Sequence, residues 1–334
     1  MSSPTYHTDG RMPSQHPSQA LPEGYRLQEY LIDRPLSAGG FSVVYLGHDE
    51  AGNQFAIKEY LPSSLVARTP DFALQVQGPL TINQSAFRHG LKSFFEEGRA
   101  LAKIIHPNVV RVVNFFRANE TVYMVMKYEQ GRSLQEYIQS HLENGGKANP
   151  IRESAIRHIF IELLNGLREV HTHKLLHLDI KPSNIYIRHD KTPLLIDFGA
   201  ARCALTQEHA GLTPMYTPGF AAPEQYGGDV PLGPWTDIYA VGAAIFACMA
   251  GYAPQAANLR MEEDHQAAAK KIWHGKYSDE LLDIVDWCLR LNHLERPQSV
   301  FALQKALSAP VSQPARSKGL IGGMKAAFRK VTQR

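Results

Sequence analysis

Two short polar motifs near the middle of the chain restrict its fold more than any other feature. The first is HLDIKPSN at residues 177–184, and the second is DFG at residues 197–199. Two short apolar runs separated by a proline-containing turn lie between them and predict a β-hairpin. This hairpin would bring Asp179, Asn184 and Asp197 to one end of a small sheet. Two carboxylates and an amide there suit a hard divalent cation and a hydroxyl whose proton needs an acceptor.

In this order and at this spacing, the two motifs resemble the catalytic loop and the magnesium-binding triplet of protein kinases. The resemblance implies that Asp179 accepts or orients the proton of the acceptor hydroxyl. It also implies that Asn184 and Asp197 hold Mg²⁺, with Mn²⁺ as an alternative cation, and that Lys181 neutralises charge on the transferred phosphoryl group. Lys181 and Thr217 resemble the residues that the serine/threonine branch of the family carries at these positions.

The first folded segment, from Tyr25 to Tyr60, alternates strand-forming runs with turns and predicts a three-stranded antiparallel meander. The turn after its first strand partly resembles the nucleotide-covering loop of kinases, with serines in place of the first and third glycines. On this resemblance, the meander residues expected to contact ATP are Ser37, Ala38, Gly39, Gly40, Phe41, Ser42, Val44, Ala56 and Lys58.

Lys58 is expected to need a carboxylate partner, because an unpaired lysine on an apolar strand is costly. Residues 92–105 show helical spacing of apolar side chains, and Glu97 falls on the same inward face as Phe94 and Leu101. The resemblance therefore implies that Lys58 and Glu97 form the catalytic ion pair that positions the nucleotide.

Residues 61–91 form a connection that is longer than compact domains usually contain without a function. A short strand at 72–76 and a helical turn at 61–68 are expected within it, and the sequence does not indicate what the insertion does. Strands at 109–116 and 121–126 are then expected to complete a five-stranded sheet.

The segment from Met126 to Gly131 resembles the hinge between the two kinase lobes, which implies that Met126 and Tyr128 contact adenine. Amphipathic patterns then predict a mainly helical region. The predicted helices span residues 134–142, 151–173, 237–250, 283–291 and 300–307.

Residues 197–224 resemble the kinase activation segment, which ends in an APE motif at residues 222–224. Its hydroxyl residues Thr206, Thr213 and Thr217 are candidate phosphorylation sites. The resemblance implies structural roles for three further residues. They are Glu224, expected to be buried, its cationic partner Arg296, and Asp237, expected to brace the catalytic loop.

Leu178 is the main departure from the family pattern, because most members carry arginine at this position. That arginine normally pairs with a phosphate on the activation segment. We therefore predict that activity depends little on phosphorylation of this segment.

The composition is that of an ordinary soluble globular protein, with 44% apolar and 20% charged residues. A net charge of +3 gives no indication of nucleic-acid binding. The sequence contains no apolar run of transmembrane length and no apolar core of a signal peptide. We therefore predict no membrane span and no export. The three cysteines are far apart and odd in number, which argues against a disulfide framework. We therefore expect a cytoplasmic protein.

Composition also divides the chain into three parts. Residues 1–24 are polar and proline-rich and are expected to be a disordered tail. The kinase-like domain is expected at 25–308, with an N-lobe at 25–127 and a C-lobe at 128–308. Residues 309–334 carry six basic and no acidic residues, with apolar residues at helical spacing. This segment is either an amphipathic helix that contacts an anionic membrane or a partner, or a poorly ordered tail.

The fold class that the resemblance implies is α+β, a two-lobed kinase-like fold with a small β-rich lobe and a larger helical lobe. The resemblance is to bacterial eukaryotic-like (Hanks-type) serine/threonine kinases. It implies ATP-dependent transfer of the γ-phosphoryl group to protein hydroxyls, with autophosphorylation, in bacterial signalling. Two alternatives are a pseudokinase that acts as a nucleotide-binding scaffold and a small-molecule phosphotransferase. The APE segment, which builds a platform for peptides, counts against the second.

Overall fold

The computed structural model describes residues 19–143, 150–198, 202–203, 216–227 and 229–310. Within these ranges a small lobe is built around an antiparallel sheet, and a larger lobe is mainly helical. The predicted α+β, two-lobed architecture is confirmed.

The strands of the described ranges are mostly short. In chain order they are β1 (Arg26–Leu27), β2 (Tyr30–Ala38), β3 (Ser42–His48), β4 (Gln54–Tyr60), β5 (Val66–Arg68), β6 (Leu74–Val76), β7 (Val112–Ala118), β8 (Thr121–Lys127), β9 (Gly131–Ser133), β10 (Leu175–Leu176), β11 (Ile185–Arg188), β12 (Pro193–Leu195) and β13 (Arg202–Cys203). The α-helices are α1 (Leu80–Leu101), α2 (Leu134–Glu143), α3 (Glu153–Thr172), α4 (Pro234–Ala250), α5 (Ala257–Glu262), α6 (Ala269–Trp273), α7 (Asp279–Cys288) and α8 (Val300–Leu307).

The main sheet has six strands in the order β1-β2-β3-β4-β8-β7, and every neighbouring pair is antiparallel. The predicted sheet had five strands, because the two-residue β1 is too short to show an alternating pattern. Strand β4 lies in the middle, where Lys58 is opposite Val44 on β3 and Met124 on β8. Cross-strand neighbours share a face, so these three side chains lie on one side of the sheet.

Helix α1 begins at Leu80, well before the predicted start at Lys92. Its first half buries Phe87, but polar residues and Gly90 interrupt the apolar pattern there, so the sequence alone does not reveal it. The predicted helical turn at 61–68 is also wrong in its second half. Val66–Arg68 is a strand that pairs with Leu74–Val76 in a two-stranded hairpin.

The β5–β6 hairpin is anchored to the sheet through Glu59, which follows Lys58 on β4 and therefore faces the opposite side. The Glu59 side chain is fully buried and accepts hydrogen bonds from Tyr45 (2.6 Å), Tyr123 (2.5 Å) and Arg68 on β5 (2.6 Å). The buried charge thus has a cationic partner and two neutral donors, which is what a buried carboxylate requires.

Residues 19–24 correct the predicted disordered tail at 1–24. Leu21 is only 2% exposed, and its backbone N–H donates to the Tyr45 hydroxyl at 3.1 Å. The described part of this segment therefore contacts the sheet, because its apolar residue Leu21 packs there. Residues 1–18, and 311–334 of the predicted basic tail, lie outside the described residues.

The larger lobe packs around α4, which is buried on almost all sides and contacts α3 and α7. The hairpin of β11 and β12, which the apolar runs around the turn predict, pairs Ile185 with Leu195. It is extended by pairing of β11 with β9, which the sequence did not indicate. No helix of the described ranges is both long and apolar enough to cross a bilayer.

Candidate active site

The carboxylate of Asp179 is the meeting point of three polar side chains from the larger lobe. Lys181 Nζ lies 2.7 Å from Asp179 Oδ2, and the Asn184 amide donates to the same oxygen at 3.0 Å. The Thr217 hydroxyl donates to Asp179 Oδ1 at 2.8 Å and accepts from Lys181 at 2.8 Å. Three donors of fixed position hold Asp179 as an oriented acceptor beside a cation.

The loop that carries Asp179 is held from below by Asp237 on the first turn of α4. The fully buried Asp237 carboxylate accepts from the backbone N–H groups of His177 (2.9 Å) and Leu178 (2.8 Å). Leu178 is buried and has a φ of 64°, a left-handed conformation that costs a non-glycine residue about 1–2 kcal/mol. The two hydrogen bonds that Asp237 accepts stabilise this strained turn.

His171 on α3 contacts Asp237 as well, with its Nε2 2.8 Å from Oδ2. Burial alone would raise the pKa of Asp237, but the combined interactions with His171, His177 and the Leu178 backbone N–H outweigh burial and lower it. Asp237 thus remains an acceptor while buried. Sequence reasoning assigned His171 no specific partner, because Asp237 lies 66 residues further along the chain.

Asp197 also has a left-handed backbone, with a φ of 59°. Its Oδ1 accepts from Lys58 at 2.7 Å, across the cleft between the lobes. The next residue, Phe198, is 1% exposed, and its ring centroid lies 4.4 Å from that of His177. Packing of Phe198 inside the larger lobe therefore directs Asp197 into the cleft.

Lys58 and Glu97 are brought within ion-pair distance, with Nζ 3.8 Å from Oε1 and both side chains buried. Burial acts to lower the pKa of Lys58, but Glu97 and Asp197 outweigh it, so the pKa is raised and the lysine stays charged. Burial raises the pKa of Glu97 to about 7, because Lys58 compensates only part of the desolvation and Asp197 repels the charge.

The predicted ATP-contacting residues lie along one edge of the cleft. Ser37 and Ala38 end β2, Ser42 begins β3, and the turn of Gly39, Gly40 and Phe41 joins them. Ala56 on β4 is opposite Met126 on β8, in the same face as Lys58 and Val44, and Tyr128 follows β8 directly. The tip of the turn is tied to the segment after β4, because Leu61 N–H donates to Phe41 O (2.8 Å) and Ser63 N–H to Gly40 O (3.0 Å).

Glu224 and Arg296 form a bidentate ion pair in the core of the larger lobe, at 2.8 and 3.0 Å. Both side chains are almost completely buried, and Thr236 donates a further hydrogen bond to Glu224 at 2.8 Å. Gln225, which sequence reasoning missed, donates from its side chain to Leu178 O at 2.8 Å. The end of the activation segment is thereby connected to the catalytic loop.

Of the candidate phosphorylation sites, Thr217 lies in the site described above, whereas Thr206 and Thr213 lie outside the described residues. The Thr217 hydroxyl is engaged by Asp179 and Lys181, an arrangement that depends on folding and that its sequence position did not reveal.

The donor set of Asn184 and Asp197 fits a hard divalent cation. The Asn184 nitrogen is committed to Asp179, to its backbone oxygen at 2.9 Å and its carboxylate at 3.0 Å, so the side-chain oxygen is the atom that can ligate a metal. With the Asp197 carboxylate it provides the oxygen ligands that Mg²⁺ and Mn²⁺ favour.

Comparison with known families gives one match that spans most of the chain. The protein kinase domain family model matches residues 30–310. Serine/threonine-protein kinase B of Synechocystis is 26% identical over 86% of this chain and 47% of its own length. Serine/threonine-protein kinase PkaA of Streptomyces coelicolor is 26% identical over 81% of this chain and 48% of its own length. This chain spans about a third to a half of the length of the curated relatives that match it first.

Solved structures agree with this match. The apo form of PpkA-294 is 34% identical and superposes with a TM-score of 0.75, covering 87% of this chain and 100% of the other. The PknI kinase domain of Mycobacterium tuberculosis is 20% identical, with a TM-score of 0.62 over 86% of this chain and 98% of the other. The second likeness concerns the fold alone.

Proposed function

The chain belongs to the protein kinase family, and from that membership we propose that it is an active serine/threonine kinase, which phosphorylates protein hydroxyls with ATP and also itself, in bacterial signalling. The observation that carries the proposal is the convergence of Lys181, Asn184 and Thr217 on Asp179. An oriented carboxylate beside a lysine is what transfer to a hydroxyl needs, because this reaction depends on positioning and charge neutralisation.

In the proposed reaction, the oxygen of a substrate serine or threonine forms a bond to the γ-phosphorus of ATP. The bond from that phosphorus to the bridging oxygen of the β-phosphate breaks, and ADP leaves. The hydroxyl proton passes to Asp179, which then releases it to solvent. Lys181 lies 2.7 Å from Asp179, near enough to offset negative charge on the phosphoryl group during transfer.

The small lobe supplies the proposed nucleotide contacts. Lys58 would bind the α- and β-phosphates, and Glu97 would hold the lysine in that position. Met126, Ala56 and Val44 would face the adenine and ribose, while Tyr128 and its neighbours would bind adenine through backbone groups. The turn at residues 37–42 would cover the phosphates through backbone N–H groups and serine hydroxyls.

Asn184 and Asp197 would hold Mg²⁺, or Mn²⁺, which when bound neutralises phosphate charge and aligns the γ-phosphoryl group. The proposed roles of Asp237, Glu224 and Arg296 are structural. Asp237 holds the catalytic loop, and the pair of Glu224 and Arg296 holds the end of the activation segment. Thr217 contacts Asp179 directly, so its hydroxyl is proposed to orient that carboxylate. Phosphorylation of Thr206, Thr213 and Thr217 stays a prediction.

The two alternatives have less support. A pseudokinase would be expected to lack a member of the catalytic set, yet Lys58, Glu97, Asp179, Asn184 and Asp197 are all present and face one cleft. A small-molecule phosphotransferase does not need the APE platform.

Three further expectations also stay predictions: contact of the basic tail with a membrane or partner, the lack of nucleic-acid binding, and a cytoplasmic location.

The decisive experiment measures incorporation of labelled phosphate from ATP and Mg²⁺ into the protein and into a generic basic protein acceptor. Phosphoamino-acid analysis then identifies the acceptor hydroxyl. We expect phosphoserine or phosphothreonine with the natural sequence, and loss of both with Asp179→Asn and with Lys58→Met.

Exposed residues of the same type supply the controls. Asp190→Asn in the β11–β12 turn and Lys92→Met on α1 change the same charges outside the cleft and should leave transfer unchanged. Nucleotide binding without any transfer by the natural sequence would overturn the kinase proposal in favour of a scaffold.

A further inference from the structure

Tyr60, the last residue of β4, connects the strand that carries Lys58 to helix α1. It lies two residues after Lys58 and therefore faces the same side of the sheet. Its buried ring stacks on Phe87 with centroids 5.6 Å apart and also meets Phe94 at 5.8 Å. Since Phe87 and Phe94 are two helical turns apart, Tyr60 contacts α1 along the face that looks towards Lys58.

The Tyr60 ring occupies the space beside Gly90 on α1. A Cβ atom at position 90 would lie 1.8 Å from the Tyr60 hydroxyl oxygen and 2.5 Å from Cζ, so no larger residue fits without movement of the helix or the ring. Glycine inside a helix costs roughly 1 kcal/mol relative to alanine. The close approach of Tyr60 gives a physical reason for glycine at this position.

The same helical face leads from Gly90 to Glu97, two turns later. Between them, the Phe94 ring lies with its centroid 5.5 Å from Lys58 Nζ, and Glu97 Oε1 lies 3.8 Å from the same nitrogen. The second distance is longer than a charge-assisted hydrogen bond of about 2.7–2.9 Å, so the pair has little tolerance for outward movement of the helix.

We propose that the contact between Tyr60 and Gly90 sets the distance of α1 from β4 and so allows Glu97 to reach Lys58. The inference rests on the proposed kinase function and adds two positioning residues to it. Neither residue belongs to the proposed nucleotide or metal contacts. Their effect on catalysis passes through Glu97.

The test is a double-mutant cycle between positions 90 and 97, with kcat/KM for ATP as the readout. Gly90→Ala should lower kcat/KM by about 10- to 100-fold, the scale of a small misplacement of a catalytic group. In the Glu97→Gln background the same substitution should have almost no effect. A residue that only stabilises the fold would give the same loss in both backgrounds.

Two further variants complete the design. Lys92→Ala, on the exposed side of α1, controls for a change of residue in the helix and should leave kcat/KM unchanged. Tyr60→Leu removes the ring from beside position 90, so Gly90→Ala combined with Tyr60→Leu should recover activity relative to Gly90→Ala alone. Thermal unfolding of each variant verifies that it is folded.

An undiminished kcat/KM in Gly90→Ala, or an equal loss in both backgrounds, would overturn the proposal. If Gly90→Ala does not fold, the cycle is run with Tyr60→Leu and Glu97→Gln, with the same two outcomes. Failure of the kinase proposal itself is distinguishable, because the natural sequence would then transfer no phosphate. The cycle can in that case be read from the affinity for a fluorescent ATP analogue.

Discussion

Lys58 lies closer to Asp197 than to Glu97: its Nζ is 2.7 Å from the Asp197 carboxylate and 3.8 Å from that of Glu97. Asp197 is half exposed in the cleft, whereas the Glu97 side chain is buried. The lysine therefore compensates the buried Glu97 only in part. A cation bound by Asp197 would compete with Lys58 for this carboxylate. Lys58 would then interact with Glu97 and with phosphate instead.

The first prediction concerns the pH dependence of kcat/KM for ATP. Because burial raises the pKa of Glu97 to about 7, from an ordinary 4.5, Glu97 is protonated below that pH and cannot form the ion pair with Lys58. We expect kcat/KM to rise with pH through about 7 and to level off above it. One pH unit below the pKa, kcat/KM should be about tenfold lower than this high-pH plateau. Glu97→Gln should lose this limb.

Stability should show the opposite trend for the same group. The folded protein keeps the Glu97 proton up to about pH 7, whereas the unfolded chain releases it near 4.5, so this stabilisation is complete below 4.5 and is lost as pH rises through 7. The free energy of unfolding of Glu97→Gln should lack this component.

For the kinetic prediction, a pH profile of kcat/KM with unchanged shape in Glu97→Gln would assign the rise near pH 7 to another group.

The second prediction concerns Thr217, whose hydroxyl joins Asp179 and Lys181 at 2.8 Å each. Thr217→Ala removes hydrogen bonds to charged groups and should lower kcat at saturating ATP by about 10- to 100-fold. Thr217→Ser keeps the hydroxyl and should keep most of the rate. Equal losses in the two variants would mean that the methyl group, and not the hydroxyl, is what the site requires.

The third prediction concerns the buried pair of Arg68 and Glu59. Arg68→Ala leaves the Glu59 charge inside the small lobe without a cation, which should cost about 3–5 kcal/mol of unfolding free energy. Arg26→Ala breaks an exposed pair with Glu50 and should cost at most about 1 kcal/mol. Denaturant unfolding of both variants compares the two, and similar midpoints would contradict the assigned role of Arg68.

The fourth prediction concerns Leu178, which is apolar and buried, so its side chain cannot receive a phosphate from the activation segment. Phosphatase treatment, verified by mass spectrometry, should change the rate of transfer by less than about twofold. Loss of activity on dephosphorylation and its return on rephosphorylation would show that another cation replaces the missing arginine.

Much of the site follows from local sequence patterns. The spacing of the two central motifs identified Asp179, Asn184 and Asp197, and helical periodicity placed Glu97 on the inward face of α1. Such patterns report which side of an element a residue occupies, because side chains repeat every 3.6 residues in a helix and every two in a strand. They do not report distances between elements.

Contacts that depend on packing were outside the reach of these patterns. Three features are of this kind: the start of α1 at Leu80, the strand that contains Arg68, and the contact of His171 with Asp237. In each case the neighbouring residues in sequence show no clear signal. Each is decided by burial against a distant part of the chain.

The sequence by itself determined the family, the two-lobed fold class and the residues that carry the proposed chemistry. Only the tertiary structure decided that Lys58 lies nearer Asp197 than Glu97, and that Tyr60 fills the space beside Gly90. The physical reason is that a motif specifies which groups are present, whereas their distances and desolvation depend on how the two lobes and α1 pack together.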